Sequence, residues 1–243
     1  MPRYFIEVAY KGTYYSGFQI QQNANSVQAE IEKALKIFYK QEFSLTGSSR
    51  TDAGVHGNQN FFHFDSEAVI EDRAYHLNAI LPADIVIKKI FPVAPEAHCR
   101  FDALSRQYTY YIYQQKDPFL ADRAYFYPYE LDLNLLQAAA AELFHHKDFA
   151  TFSKRNTQTK TTLCTIISSE WKQENNGFSY HVSSNRFLRG MVRGLVGTML
   201  RVGRNKTSME QFISIINSKD CTKADFAVPP QGLFLQKVNF PLF

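Results

Sequence analysis

Apolar and polar positions alternate from Arg3 to Tyr10, with aromatic and β-branched residues on the apolar side, and this period of two predicts a strand. Lys11-Gly12-Thr13 turns the chain into a polar-aromatic loop, Tyr14 to Gln22. Its glutamines and an exposed ring around Gly17 suit either a ligand-facing surface or a packed cap on the sheet. A helical period follows. Val27, Ile31, Ala34, Leu35 and Phe38 share one face, Ser26 can N-cap the helix, and the pattern runs to about Lys40. Phe43 and Leu45 approach a glycine-dense turn, 47–57, in strand-like fashion, and Phe61 to Phe64 leaves it as a strand. Ala68 to Leu81 predicts another helix, stopped by Pro82, and Ile85 to Phe91 a strand ending before Pro92.

The pattern then starts again. Gln107 to Tyr113 reads as a strand in which Tyr108 and Tyr110 face one way and Tyr111 and Tyr113 the other. One face is expected to pack and the other to present a ring on which a base could stack. Leu133 to Phe144 is a helix, and Thr161 to Trp171 with Phe178 to Ser184 a hairpin joined at Asn175-Asn176-Gly177. Between Phe187 and Gly203 a helix carries Leu188, Val192, Leu195, Val196 and Met199 on one side and Gly190, Gly194 and Gly197 on another. Each interior glycine costs about 0.8–1 kcal/mol relative to alanine, so the stripe implies close approach of a backbone or a ligand. Packing against a strand would account for the glycines but not for Arg193 at the stripe's edge. A short helix, Ser208 to Ser218, and a strand, Leu233 to Phe240, complete the pattern.

The fold class expected is α+β. Two similar α/β lobes, 1–104 and 105–243, share one extended mixed sheet with helices on one side and a cleft between them. With 243 residues, 45% hydrophobic and 21% charged, the chain has ample material for a core, which excludes wholesale disorder.

Charge adds more by its placement than by its net value of +4. From Asn175 to Met209 there is no acidic residue, while Arg186, Arg189, Arg193, Arg201, Arg204 and Lys206 fall inside. Lys154 to Lys160, with Arg155, is a second acid-free basic segment. Blocks of one sign on a mixed chain are the expected footprint of phosphate binding; the plainer alternative is a solvated basic face. Cys99, Cys164 and Cys221 are far apart and suit free thiols in a reducing compartment. No His/Cys/carboxylate set has zinc spacing, so no metal site is expected, and P-loop and dinucleotide motifs are missing, so no nucleotide cofactor is expected either. The N-terminus reads as a strand and not as a signal peptide, and no apolar run approaches membrane-spanning length; a soluble, cytoplasmic protein is the expectation.

The chemistry concentrates in Gly47-Ser48-Ser49-Arg50-Thr51-Asp52-Ala53-Gly54-Val55-His56-Gly57, which presents one carboxylate beside one guanidinium. Such a turn is either an exposed ion pair of little energetic worth or an active loop held between strands. Ser49 to His56 resembles the signature of the TruA-type tRNA pseudouridine synthases. The likeness extends through Gly17-Phe18-Gln19-Ile20-Gln21, Leu81-Pro82-Ala83-Asp84-Ile85, His98-Cys99-Arg100-Phe101-Asp102-Ala103, Arg106-Gln107-Tyr108, Asp148-Phe149, Phe187 to Arg193, Val196-Gly197 and Pro229-Pro230-Gln231-Gly232-Leu233. It departs at Phe18, where tryptophan is usual, at Val228 in an alanine-like position, and at Cys99, commonly alanine.

That resemblance implies an isomerase converting uridine to pseudouridine at positions 38, 39 and 40 of the tRNA anticodon arm, by base flipping and without a cofactor, in a homodimer with tRNA lying across both subunits. It implies that Asp52 is catalytic, that Arg193 pairs with it, that Tyr108 stacks on the target base and that Leu233 lines the uracil pocket. Arg50, His56, Phe18 and Gln19 are further expected on the RNA, with Lys154, Arg155 and Arg189 on its phosphates. The rival is a non-catalytic tRNA-binding or chaperone protein of the same fold. A glycosidase or nucleoside hydrolase would need a second carboxylate or a metal, for which Asp65 is the available candidate.

Overall fold

The computed structural model describes residues 1–155 and 160–241. The chain is α+β and divides into two compact units, residues 1–104 with 234–243, and residues 105–233. The last ten residues thus group with the N-terminal part of the chain and not with the residues just before them.

In the first unit, β1 (Arg3–Tyr10) is the central strand. Helix α1 (Val27–Tyr39) follows, then β2 (Thr46–Gly47), β3 (His56–Asp65), α2 (Ala74–Asn78) and β4 (Ile85–Val93). β1 pairs antiparallel with β3 on one side and β4 on the other. Both faces of β1 are buried. Tyr4, Ile6, Val8 and Tyr10 pack with Val27, Ile31, Ala34 and Leu35 of α1, while Phe5 turns the other way, to Phe61, Phe91 and Phe240. Each such fully buried side chain contributes about 1.5–3 kcal/mol. α1 begins as expected, with Ser26 Oγ accepting from the Ala29 N–H at 3.2 Å.

Several elements differ from their sequence patterns. Phe43 and Leu45 are buried, but strand pairing starts only at Thr46. The Leu45 N–H donates to Glu32 Oε1 (2.9 Å) and its carbonyl accepts from Gln28 Nε2 (2.8 Å), so helix side chains take the groups a ladder would use. The helix expected over 68–81 shrinks to Ala74–Asn78. Ahead of it, the Ile70 N–H donates to the Tyr4 hydroxyl, and Asp72 Oδ1 accepts from the Ala74 and Ile90 N–H groups, which holds the segment against the sheet in non-helical form. β4 runs through Pro92 to Val93. Among the described residues it pairs only with β1, and an edge strand does not need proline's missing N–H.

In the second unit, β5 (Ser105–Tyr113) is followed by β6 (Tyr125–Phe126), α3 (Leu133–Glu142), β7 (Ile166–Glu174), β8 (Gly177–Ser184), α4 (Met191–Gly203) and α5 (Met209–Asn217). β8 lies antiparallel between β5 and β7, and β6 runs parallel to β5. The β7–β8 hairpin turns at Asn175-Asn176 as expected. Gly177 leaves it at φ +150°, where a Cβ would sit 2.2 Å from the Ile112 carbonyl oxygen. β7 starts at Ile166 and not at Thr161, because residues 162–165 bond elsewhere: Phe149 N to Thr162 O, Cys164 N to Lys147 O, and Thr165 N to Asn185 Oδ1. α5 opens with a reciprocal capping box between Ser208 and Gln211.

The last strand, β9 (Leu233–Asn239), returns to the first unit and pairs in parallel with β3, His56 opposite Phe234 and Gly57 opposite Leu235. No helix among the described residues is long and apolar enough to cross a membrane.

Candidate active site

The turn bearing Asp52 is braced from three sides within the first unit. From below, the Tyr10 hydroxyl bonds Thr51 Oγ1 at 2.9 Å, and Asn60 Nδ2 donates to the Ser49 carbonyl (2.9 Å) and the Tyr10 hydroxyl (3.3 Å). Burial pushes the Tyr10 phenol up to about 12, so it stays a neutral partner at ordinary pH. From the side, the Phe18 N–H reaches the Thr51 carbonyl (3.2 Å) and the Gly54 N–H the Tyr15 carbonyl (3.3 Å). The Val55 N–H closes the turn on the Asp52 carbonyl at 3.2 Å. Gly54 has φ +77°, the left-handed conformation that glycine adopts without strain. At Gly57 a Cβ would meet the Tyr10 ring at 2.6 Å. Asp52 itself is half-buried, with Arg50 exposed beside it.

Two expected RNA contacts in this unit turn out to be internal. His56 is 1% exposed; its Nδ1 accepts the Gly12 N–H at 3.1 Å and its ring stacks on Phe234 at 4.5 Å. It cannot hold a displaced stack or a phosphate, and serves instead to lock the base of the turn. Phe18, where an exposed ring was expected, is also 1% exposed, stacked on Phe62 at 4.3 Å and tilted against Tyr10 at 5.4 Å. Of the rings in that loop it is Tyr14 that is exposed, whereas Tyr15 is buried and donates to Asp84 at 2.6 Å. Asp65, the candidate second carboxylate, is held bidentate by Arg3 at 2.7 and 2.8 Å, which lowers its pKa and removes it as a water-activating base.

His63, His98 and Cys99 bring three possible ligand atoms within 4.8 Å of one another, a cluster without zinc spacing in the sequence. Each has hydrogen-bonding work in the fold. His63 Nδ1 faces Cys99 Sγ at 3.2 Å, Cys99 Sγ donates to the Thr46 carbonyl at 3.1 Å, and His98 Nδ1 accepts the Arg100 N–H at 3.1 Å. Hydrogen bonding accounts for the cluster without an ion.

In the second unit Tyr108 stands near the start of β5, 9% exposed, its ring edge-on to Phe187 at 5.1 Å. Tyr110 and Tyr113 are buried and Tyr111 is half-buried, so neither face of the strand is a bare platform of rings. Tyr110 donates to the Pro229 carbonyl at 2.7 Å. Beyond that proline, Gly232 sits where a Cβ would strike the Tyr110 ring at 2.7 Å, and Leu233 follows, buried.

The glycine stripe of α4 has its explanation in the strap 225–228. A Cβ at Gly197 would lie 2.2 Å from the Asp225 carbonyl oxygen, and one at Gly194 would lie 2.7 Å from the Phe226 ring. Thr198 Oγ1 accepts the Asp225 N–H at 3.0 Å, and Arg193 Nε donates to the Val228 carbonyl at 2.8 Å. The close approach is therefore that of a backbone. Packing explains the arginine too, contrary to expectation, since its Nε fastens the same strap.

The two basic segments meet. The Lys154 N–H donates to the Arg189 carbonyl at 3.0 Å, and the Lys154 side chain lies over Gly190, whose φ of +77° starts α4. Arg155 and Arg189 are exposed next to this junction. The rest of the Lys154–Lys160 segment, 156–159, lies outside the described residues. Sequence reading missed Tyr10, Asn60 and Thr51 as supports. Their only signal was a polar group at strand positions for Tyr10 and Asn60 and within the turn itself for Thr51.

With this geometry in hand, comparison with known proteins is direct. The family model described as tRNA pseudouridine synthase matches residues 6–102 and 139–241. A protein of Parabacteroides distasonis named tRNA pseudouridine synthase A is 44% identical, covering 99% of this chain and 97% of that protein. Its namesake in Bacteroides fragilis is 43% identical over 98% of this chain and 96% of its own length. A Staphylococcus aureus protein of the same name is 36% identical over 97% and 91%. The turn around Asp52 and the Arg193 helix lie inside the matched ranges, the Tyr108 strand falls between them, and the chain belongs to the tRNA pseudouridine synthase family.

Proposed function

We propose that this protein isomerises uridine to pseudouridine in the anticodon arm of tRNA, at positions 38, 39 and 40. The observation that carries the reading is a family match over nearly the whole chain with the Asp52 turn intact and rigidly braced. Pseudouridine formation breaks the N1–C1′ bond, turns the base and joins C5 to C1′. A single carboxylate serves this in one of two ways: by attacking C1′, as the nucleophile of a retaining glycosidase does, or by taking a proton from C2′ toward a glycal-like species. Asp52 is that carboxylate.

Arg193 keeps Asp52 ionised and oriented; a guanidinium suits the role because its charge persists and its donors are paired. Its Nε is anchored to the Val228 carbonyl and its Nη2 reaches the Phe226 carbonyl at 3.5 Å, which supports this reading by holding the guanidinium in place. Tyr108 stacks on the target uracil, and its hydroxyl is the candidate carrier for the C5 proton. Leu233 lines the uracil pocket. Because the target lies in a stem-loop, the nucleotide is flipped out of the stack, and Arg50, Gln19, Lys154, Arg155 and Arg189 hold the surrounding RNA. The protein acts in the cytoplasm as a homodimer.

The test is tritium release from tRNA labelled at uridine C5. Asp52→Ala and Asp52→Asn should abolish release while tRNA binding survives. Full activity in either variant would sink the assignment, and crosslinking to tRNA without any change in its uridines would favour a binding protein without turnover.

A further inference from the structure

Beside the Asp52 turn the first unit has a hollow of about 160 Å³, walled among others by Gln19, Gly47, Arg50, His98, Arg100 and Phe101. Its volume is below the roughly 300–1,000 Å³ of pockets that enclose whole small-molecule ligands. It has room for one flat group. Its chemistry is that of a nucleotide. Two guanidiniums, Arg50 and Arg100, lie on its wall, and none of the described lining residues is acidic. The nearby Asp102 carboxylate is turned to the His98 N–H at 2.6 Å, which ties the 98–102 turn.

Phe101 is 74% exposed, so its ring is open to a stacking partner. It leans on His98 at 4.2 Å, and the Arg100 guanidinium lies 5.6 Å from its centroid. His98 Nδ1 accepts the backbone N–H groups of Arg100 and Phe101, so the neutral ring carries its proton on Nε2 and is a donor there. Aromatic faces flanked by arginines are the usual means of holding an unstacked base and its phosphate.

We propose that this hollow is a subsite for the nucleotide adjoining the target uridine. The base of that neighbour stacks on Phe101 and its phosphate lies between Arg50 and Arg100. Arg50 stands two residues before Asp52, so one wall of the subsite belongs to the turn that carries the reacting carboxylate. The proposal rests on the reading that the substrate is RNA with a flipped uridine. It adds that flipping is stabilised by catching the next residue.

The test is a cycle. Wild type and Phe101→Ala are titrated with an anticodon stem-loop RNA, and with the same RNA carrying an abasic residue on the 3′ or, separately, the 5′ side of the target. Phe101→Ala should weaken binding about tenfold. One of the abasic RNAs should lose as much on the wild type, and the variant should show no further loss on that RNA. Arg100→Ala should lower the dependence of log affinity on log salt by about one. Wild-type affinity in Phe101→Ala, or losses that multiply with both abasic RNAs, would overturn the subsite. Uridine conversion measured on the same samples separates the two claims. A multiplying cycle in a converting enzyme removes only the subsite, and a coupled cycle without conversion removes only the isomerase.

Discussion

At the scale of the residue, the Asp52 turn depends on side chains buried within the sheet. Tyr10 and Asn60 hold Thr51 and Ser49 from inside the sheet. Tyr10→Phe deletes two buried bonds, those of its hydroxyl with Thr51 Oγ1 and Asn60 Nδ2, an expected cost of about 1–3 kcal/mol in chemical unfolding. The larger effect should be on turnover, because Asp52 loses its register, and kcat should fall more than RNA affinity. His63 gives a pH dependence. Burial chiefly, then the neighbouring His98 and Arg3, pull its pKa from 6.5 to about 4, with Asp65 and Asp102 opposing. A histidine kept neutral in the fold takes its proton more readily when unfolded, so stability should decline as pH falls from about 6.5 toward 4. His63→Asn should flatten that decline in pH-dependent unfolding. The sequence pointed to Asp52 through the turn's glycines and to its role through resemblance. It could not reveal that His56 and Phe18 look inward, because burial of a polar or aromatic side chain depends on what distant parts of the chain bring against it. Here that partner is Phe234 for His56 and Phe62 for Phe18.

At the scale of the element, periodicity succeeded where one face decided the structure, as in α1 and β1, and failed where side chains competed for backbone. Residues 68–73 have helical spacing but are held by Tyr4 and Asp72, and residues 43–45 have strand character but are held by Gln28 and Glu32. No local pattern encodes those partners. α4 makes the opposite point, since its glycines signalled a close approach correctly but left open what approaches. Gly197→Ala tests the strap. Helix propensity alone would stabilise by about 1 kcal/mol, yet the new Cβ would lie 2.2 Å from the Asp225 carbonyl. Net destabilisation is expected, several degrees in thermal unfolding, with reduced turnover as the Val228 anchor of Arg193 shifts. Gly194→Ala meets a ring edge and not a backbone oxygen, and should cost less.

At the scale of the whole molecule, basic residues split in the sequence become neighbours, Lys154 and Arg155 with Arg189. If they neutralise RNA phosphates, tRNA affinity should fall linearly with salt on logarithmic axes. Arg155→Ala and Arg189→Ala should each reduce the slope by about one without changing which uridines are converted. Equal slopes in wild type and variants would count against phosphate contact at these positions. The return of the last strand to the first unit has a further consequence, for biogenesis. β9 reaches β3 only after the 105–233 segment has been made. At about 5–20 residues per second, that interval is on the order of ten seconds. Throughout it the emerging N-terminal unit lacks the strand that backs His56, and with it one support of the Asp52 turn. A nascent chain thus carries Asp52 well before its turn is fully supported. The Asp52 turn therefore gains this support only once residues 233–239 have emerged and paired with β3.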